Sequence, residues 1–197
     1  MSDQLVLASG SVSRARMLRD AGVDCVIDPA DVDEAAVKQD MLARAIPATD
    51  IAMALAVEKA KTVSTRHPGA WVICADQMLA CDGDLFDKPV DLTGAADHLR
   101  RLSGKEHLLL SAACVVKDGA ICWSSLETPR LVMRVLDDVF IGDYLAAVGD
   151  DALLSVGAYQ LEGRGAQLFD QVDGDFFSIL GLPLLPLLAF LRAQDLL

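Results

Sequence analysis

Basic residues are scarce in this chain: 17 lysines and arginines stand against 29 aspartates and glutamates, a formal charge of −12 at pH 7. A protein that grips nucleic acid by neutralising its phosphates needs the opposite balance, so that class is excluded and a small anionic ligand would need a local basic pocket. The five cysteines, Cys25, Cys74, Cys81, Cys114 and Cys122, are odd in number, form no CxxC pair and mostly fall in apolar runs. They read as buried thiols of a reducing cytoplasm. His67, His98 and His107 show no HxxxH or HxH spacing, which leaves a histidine-built zinc site without support. The start, MSDQLVLAS, has neither a basic leader nor a long apolar stretch, so no signal peptide is expected and the protein is placed in the cytoplasm. No membrane span is expected either: the most apolar stretch, Ile179 to Leu191, contains Pro183 and Pro186 and falls short of the ~20 residues a span requires. Linkers, repeats and low-complexity tracts are missing.

What the chain does have is apolar mass. With 197 residues and 53% hydrophobic content it can bury a full core, as one domain over 1–197 or as a closely packed pair of lobes. Its first half alternates in α/β fashion: a strand at Leu5 to Ala8, a helix from Ala15 to Ala21, and a short strand near Cys25. A helix from Asp50 to Thr65 and a strand from Trp71 to Ala75 follow. Asp118 and Gly119 are a hairpin signal between Leu108 to Lys117 and Ala120 to Val135, so a long antiparallel ribbon and a mixed sheet are expected. Gly142 to Val148 and Leu184 to Arg192 read as helices, with glycine-rich turns at Gly163, Gly165 and Gly174 between them.

Several segments carry chemistry. Ser9, Gly10, Ser11, Val12, Ser13 and Arg14 lie at a strand-to-helix turn, where backbone N–H groups, hydroxyls and the positive end of a helix dipole suit an anion such as phosphate. Arg14 adds a forked, permanent charge. The same composition also makes a plain helix N-cap. Asp76 is expected at the carboxyl end of the Trp71 strand, where ligands collect in open α/β sheets, although an aspartate after a strand is also a common turn residue. Asp33 and Glu34, in the acidic DPADVDE segment, are a second carboxylate source that could share a hard cation such as Mg²⁺ with Asp76. The alternative is a solvated acidic loop.

Placed at about 100° intervals, Ile51, Ala52, Leu55, Ala56 and Val63 form one stripe, and Lys59 falls inside it. A lysine there can run its stem along the core and present its ammonium to a cleft, with an edge position on a stripe blurred by Met53 and Val57 as the structural alternative. Lys88, directly before Pro89, is held extended, with a surface lysine as the ordinary alternative. Glu162, Gly163, Arg164 and Gly165 form a glycine-spaced turn where backbone could approach a ligand, though it lacks the third glycine of a dinucleotide fingerprint, and no Walker pattern is present. Asp82 and Gly83 read as a hairpin turn.

With these residues in hand, the chain resembles the Maf family, the septum-formation-inhibitor-like nucleotide pyrophosphatases, along nearly its whole length. LVLASGSVSRARML is similar to the family's LASxSPRRxxLL opening, DVDE to its acidic loop, LAVEKA to its LAxxKA helix and ICADQ to its GAD(T/Q) strand. DKP resembles its GKP, HLRRLSGKEH its LxxLSGxxH, GAYQLEGRGA its GAYxxxGxGA, and the closing stretch its final GLPL segment.

The resemblance implies a mixed, elongated, twisted sheet flanked by helices, in two lobes around a central cleft, as in Maf and inosine-triphosphatase-like proteins. It implies hydrolysis of a nucleoside triphosphate between the α and β phosphates with a divalent cation, Mg²⁺ or Mn²⁺, and a homodimeric assembly. Carried over by matching position, Asp76 is general base and metal ligand, Glu34 a metal ligand, and Ser9, Arg14, Lys59, Gln77, Lys88 and Glu162 bind substrate. Val12 and Ser13 depart from the family's Pro and first Arg, so Arg14 carries more of the phosphate grip. Gln77 and Glu162 stand where the dTTP/UTP-acting subgroup has Thr and Gln, and both look like the 7-methyl-GTP subgroup. A carboxylate accepts hydrogen bonds from guanine's N1–H and amine and suits the positive 7-methylguanine ring. The subgroup often has an aromatic residue where Ser13 lies. Two competing expectations are a dTTP/UTP pyrophosphatase and a nucleotide-binding regulator of division that turns nothing over.

Overall fold

The computed structural model describes residues 4–197. In chain order the elements are β1 (Leu5–Leu7), α1 (Val12–Asp20), β2 (Val26–Ile27), α2 (Glu34–Ala43), α3 (Ala48–Ser64), β3 (Trp71–Cys81), β4 (Asp84–Phe86), α4 (Leu92–Leu102) and β5 (Glu106–Lys117). Then come β6 (Ala120–Glu127), β7 (Arg130–Met133), α5 (Asp138–Val148), 3₁₀ turns at Gly149–Leu154 and Arg164–Leu168, β8 (Phe169–Asp173), α6 (Phe176–Ile179) and α7 (Leu184–Ala193). The chain forms two compact units. The first holds the chain up to Asp76 with Ser111–Glu127 and Phe176–Leu197, and the second holds Gln77–Leu110 and Thr128–Asp175, so β3 and β5 contribute residues to both.

In the first unit β1 lies between β2 and β3 and runs parallel to each, Val6 standing opposite Val26 and Val72. From Ser111 onward β5 pairs antiparallel with β6. Asp118 and Gly119, at φ 48° and 78°, supply the two left-handed residues that a two-residue hairpin turn requires. Ile51, Leu55, Ala56, Ala60 and Val63 recur at helical spacing on α3 and are buried. Leu7, Leu18, Ile73, Val115, Leu187 and Leu191 close a core to which strands and helices both contribute.

In the second unit β7 lies between the start of β5 and β8, antiparallel to both. β4 folds back on β3 through Asp82 and Gly83, at φ 52° and 87°. α4 buries Ala95, Leu99 and Leu102, and α5 buries Ile141, Tyr144 and Leu145. The fold is a mixed α/β sheet with helices, as the alternation of apolar segments predicts.

Several expected boundaries move. α1 opens at Val12 rather than Ala15, because the Ser11 hydroxyl accepts the Arg14 backbone N–H and caps the helix there. Asp33 and Glu34 are not in a loop: Asp33 caps α2 by accepting the Ala36 N–H, and Glu34 is that helix's first residue. β3 does not stop at Ala75 but runs through Asp76 to Cys81, so Asp76 sits inside a strand rather than beyond its carboxyl end. The ribbon after Gly119 breaks at Thr128 and Pro129, since proline has no N–H to give a ladder, and resumes as β7. Cys74, Cys81 and Cys114 are buried as expected, whereas Cys25 is only partly covered and Cys122 is exposed on β6. No described helix is long and apolar enough to cross a membrane.

Candidate functional site

Three elements of the first unit bring charge to one place. Lys59 lies on the buried stripe of α3 and is 8% exposed, with its stem among apolar neighbours. Its Nζ donates to Asp76 Oδ1 at 2.5 Å and to Glu34 Oε2 at 3.1 Å. Asp76, at 7% exposure in β3, is therefore a buried carboxylate held by a buried ammonium, whereas the Glu34 side chain is half exposed at the start of α2. Burial alone works against the lysine's charge. Asp76 first, then Cys74 and Glu34, outweigh it and hold the Lys59 pKa above the ordinary lysine value.

The turn after β1 supplies the second cluster. Ser9 is buried, and its hydroxyl accepts the Arg14 Nη1–H at 3.2 Å and the Ser11 backbone N–H at 3.3 Å. Arg14 also donates through Nε to the Gly181 carbonyl at 2.8 Å, leaving part of its five-donor fork beyond these two contacts. The turn is an N-cap at Ser11, and it also sets a buried serine hydroxyl against the Arg14 guanidinium. Cys74, in β3, donates its S–H to the carbonyl of Ala8, the residue before Ser9, at 3.2 Å. Burial raises its pKa to about 11, and its thiol lies within electrostatic reach of Lys59, Arg14 and Asp76 together. The serine–arginine pair and the lysine–carboxylate network consequently share one neighbourhood.

The two carboxylates suit a hard divalent cation. They already share one cationic partner, the Lys59 ammonium, and Mg²⁺ is commonly held by one or two carboxylates with waters and substrate phosphates filling its remaining positions. Among the described residues no group of three or more His, Cys, Asp or Glu side chains is arranged to hold a metal, so a closed all-protein cage is not what this network offers.

Gln77, Lys88 and Glu162 stand in the second unit. Gln77 is partly buried in β3, Lys88 is exposed in the irregular stretch after β4, and Glu162 is exposed in the turn before the second 3₁₀ segment. Of the glycines near Glu162, Gly165 and Gly157 are required by the chain's own packing. A Cβ on Gly165 would collide with the Gln160 carbonyl oxygen and lie 2.8 Å from its nitrogen, and one on Gly157 would strike the Tyr159 ring. Beside this turn is a hollow of about 200 Å³ lined by Tyr144, Asp151, Gln160 and Arg164.

Sequence reasoning missed Gly181, whose carbonyl anchors Arg14, because the contact joins residues at opposite ends of the chain. It also missed Asp28, Arg66 and His67. Arg66 Nε and Nη2 reach the two Asp28 oxygens at 3.0 and 2.8 Å, and His67 Nε2 lies 2.7 Å from Asp28 Oδ2. The only sequence signal for them was an Arg–His pair just past the end of a helix.

A model of Maf-like proteins matches residues 4–194 of the chain. A 7-methyl-GTP pyrophosphatase of Mesorhizobium japonicum is 50% identical over 192 residues, covering 98% of this chain and 96% of that protein. A nucleoside triphosphate pyrophosphatase of Paramagnetospirillum magneticum is 52% identical over 187 residues, covering 95% and 96%. A 7-methyl-GTP pyrophosphatase of Brucella abortus is 46% identical, covering 98% of each.

Proposed function

Given that the chain belongs to the family of Maf-like proteins, we propose that it is a nucleoside triphosphate pyrophosphatase, hydrolysing a triphosphate such as 7-methyl-GTP to the monophosphate and pyrophosphate. The observation that carries this reading is the Lys59 ammonium pinned between Asp76 and Glu34, beside the Ser9–Arg14 pair. Water attacks the α-phosphorus in line, its oxygen forming the new P–O bond as the bond to the bridging oxygen of the β-phosphate breaks. Asp76 takes the proton from that water. Pyrophosphate leaves with the bonding pair. An ammonium has three N–H donors, so Lys59 can hold both carboxylates and still donate to a phosphate oxygen. Ser9, Arg14 and Lys88 donate to the polyphosphate, and this fixed positive charge offsets what develops on the leaving group.

Glu34 and Asp76 would hold the divalent cation, Mg²⁺ or Mn²⁺, in place of some of their contact with Lys59. Bound there, the ion supplies charge neutralisation at the phosphate oxygens. Gln77 and Glu162 contact the base, the Glu162 carboxylate matching guanine's two N–H donors and the positive methylated ring. The same reading makes the protein a cytoplasmic homodimer, with light scattering as the check on its mass.

The test is pyrophosphate release from canonical and 7-methylated triphosphates with Mg²⁺, comparing the wild type with Asp76→Asn. Release by the wild type and a loss of about 10²-fold or more in the variant, with nucleotide binding kept, is expected. Binding without release by the wild type would replace the enzyme reading with that of a nucleotide-binding regulator. Preference for dTTP or UTP over 7-methyl-GTP would overturn the base assignment alone.

A further inference from the structure

The segment from Asp28 to Glu34 is fastened at both ends to α3 and the turn that follows it. At its far end Glu34 meets Lys59 of α3. At its near end Arg66, two residues past α3, forks onto both oxygens of Asp28 and also donates through Nη2 to the Pro29 carbonyl at 2.9 Å. His67 adds a third contact to the same carboxylate at 2.7 Å. Asp28 is in register with the sheet, its backbone N–H donating to the Leu7 carbonyl at 3.0 Å. Pro29 in turn packs over the Ser9–Gly10–Ser11 turn, where a Cβ on Gly10 would lie 3.7 Å from its ring.

A bidentate guanidinium fixes orientation as well as distance, which a single ammonium contact does not. At this level of exposure, with the Arg66 and Asp28 side chains 39% and 30% exposed, such a pair adds little to global stability. Its local effect is different: it removes freedom from a short loop whose other end carries a proposed metal ligand and whose side walls the phosphate-binding turn. We propose that Asp28, Arg66 and His67 are positioning residues, a clamp that keeps Glu34 within reach of Asp76 and so sets the affinity of the two-carboxylate site for a divalent cation. This rests on the metal-binding part of the function proposed above.

Mn²⁺ titration followed by electron paramagnetic resonance, on full-length protein without nucleotide, tests it independently of turnover. Glu34→Gln, Arg66→Ala, Arg66→Lys and Asp28→Asn are compared with the wild type, with a thermal melt on each to establish folding. Glu34→Gln and Arg66→Ala should each weaken Mn²⁺ binding about tenfold. Asp28→Asn and Arg66→Lys, which keep hydrogen bonding but lose the charged fork, should fall between Arg66→Ala and the wild type. In steady-state assays the clamp variants should raise the cation concentration needed for half-maximal rate more than they lower kcat. If Glu34→Gln weakens Mn²⁺ binding while the clamp variants stay within twofold of the wild type, the clamp is refuted and the metal site stands. If Glu34→Gln itself changes nothing, the metal reading of Glu34 falls, and the clamp with it. Should Arg66→Ala not fold, Arg66→Lys and Asp28→Asn decide the matter by the same measurement.

Discussion

Lys59 and Asp76 depend on each other. A carboxylate at 7% exposure is costly to keep ionised without a cation, and the ammonium 2.5 Å away is that cation. Lys59→Ala would leave Asp76 buried and unpaired, a change that typically costs about 3 kcal/mol or more. The Glu34 contact, with a half-exposed partner, contributes far less. Urea denaturation should therefore show a clear drop in midpoint for Lys59→Ala, and Lys59→Ala combined with Asp76→Ala should recover part of it, because the orphaned charge is then gone. With Asp76→Ala measured as well, a double variant whose loss equals the sum of the two single losses would show that the pair is not coupled. The position of Lys59 was legible in the helical spacing of its apolar neighbours. Its partners were not legible in local spacing, since they lie 17 and 25 residues away along the chain, and only the family resemblance grouped Glu34, Lys59 and Asp76 in one site.

At the scale of elements, the turn carrying Glu162 shows how glycine acts through packing. Gly165 lets the chain pass against the backbone of Gln160, where any side chain would overlap the carbonyl. Gly163, by contrast, would place a Cβ 3.8 Å from the Gln160 oxygen, an ordinary contact. Gly165→Ala is expected to destabilise the protein by about 1–3 kcal/mol, the usual cost of overpacking, and, on the base-binding role proposed for Glu162, to raise KM for the triphosphate by displacing that side chain. Gly163→Ala should be close to neutral in a thermal melt. Equal effects of the two would contradict the close-approach role. The spacing GxG was readable in the sequence, but whether a ligand or the chain itself fills the space beside it depended on where Gln160 lies. α2 escaped notice for a related reason: none of its residues is buried, so it has no apolar stripe to announce it.

For the molecule as a whole, one contribution to its behaviour in acid comes from a buried histidine. His107 lies in β5 at 1% exposure, its Nε2 2.8 Å from the Tyr159 hydroxyl and its ring among Tyr159 and Phe169. Its Nδ1 is buried with no hydrogen-bond partner among the described residues. Burial disfavours the imidazolium and pushes the pKa down to about 4 from an ordinary 6.5. Between those values the unfolded chain binds more protons than the folded one, so stability falls as pH drops through that window and is fully kept above it. The loss from this group approaches about 3 kcal/mol near pH 4. Relaxation of the −12 charge acts in the opposite sense as carboxylates protonate, so the comparison must be with His107→Gln. That variant should show a flatter dependence of urea midpoint on pH between 6.5 and 4. An unchanged slope would exclude His107 as its source.

The order of apolar segments, the Asp118–Gly119 and Asp82–Gly83 turns and the stripe of α3 follow from local periodicity and backbone preference, and these the sequence by itself determined, together with the family. Which charges meet was decided only in three dimensions. Arg14 found Gly181, Lys59 found Asp76 and Glu34, and Arg66 found Asp28, because parallel β1, β2 and β3 and the helix beside them bring distant stretches of chain to the same spot. Hydrogen bonds and ion pairs act over a few ångströms of space, whatever the separation along the chain, so no local pattern could have written them.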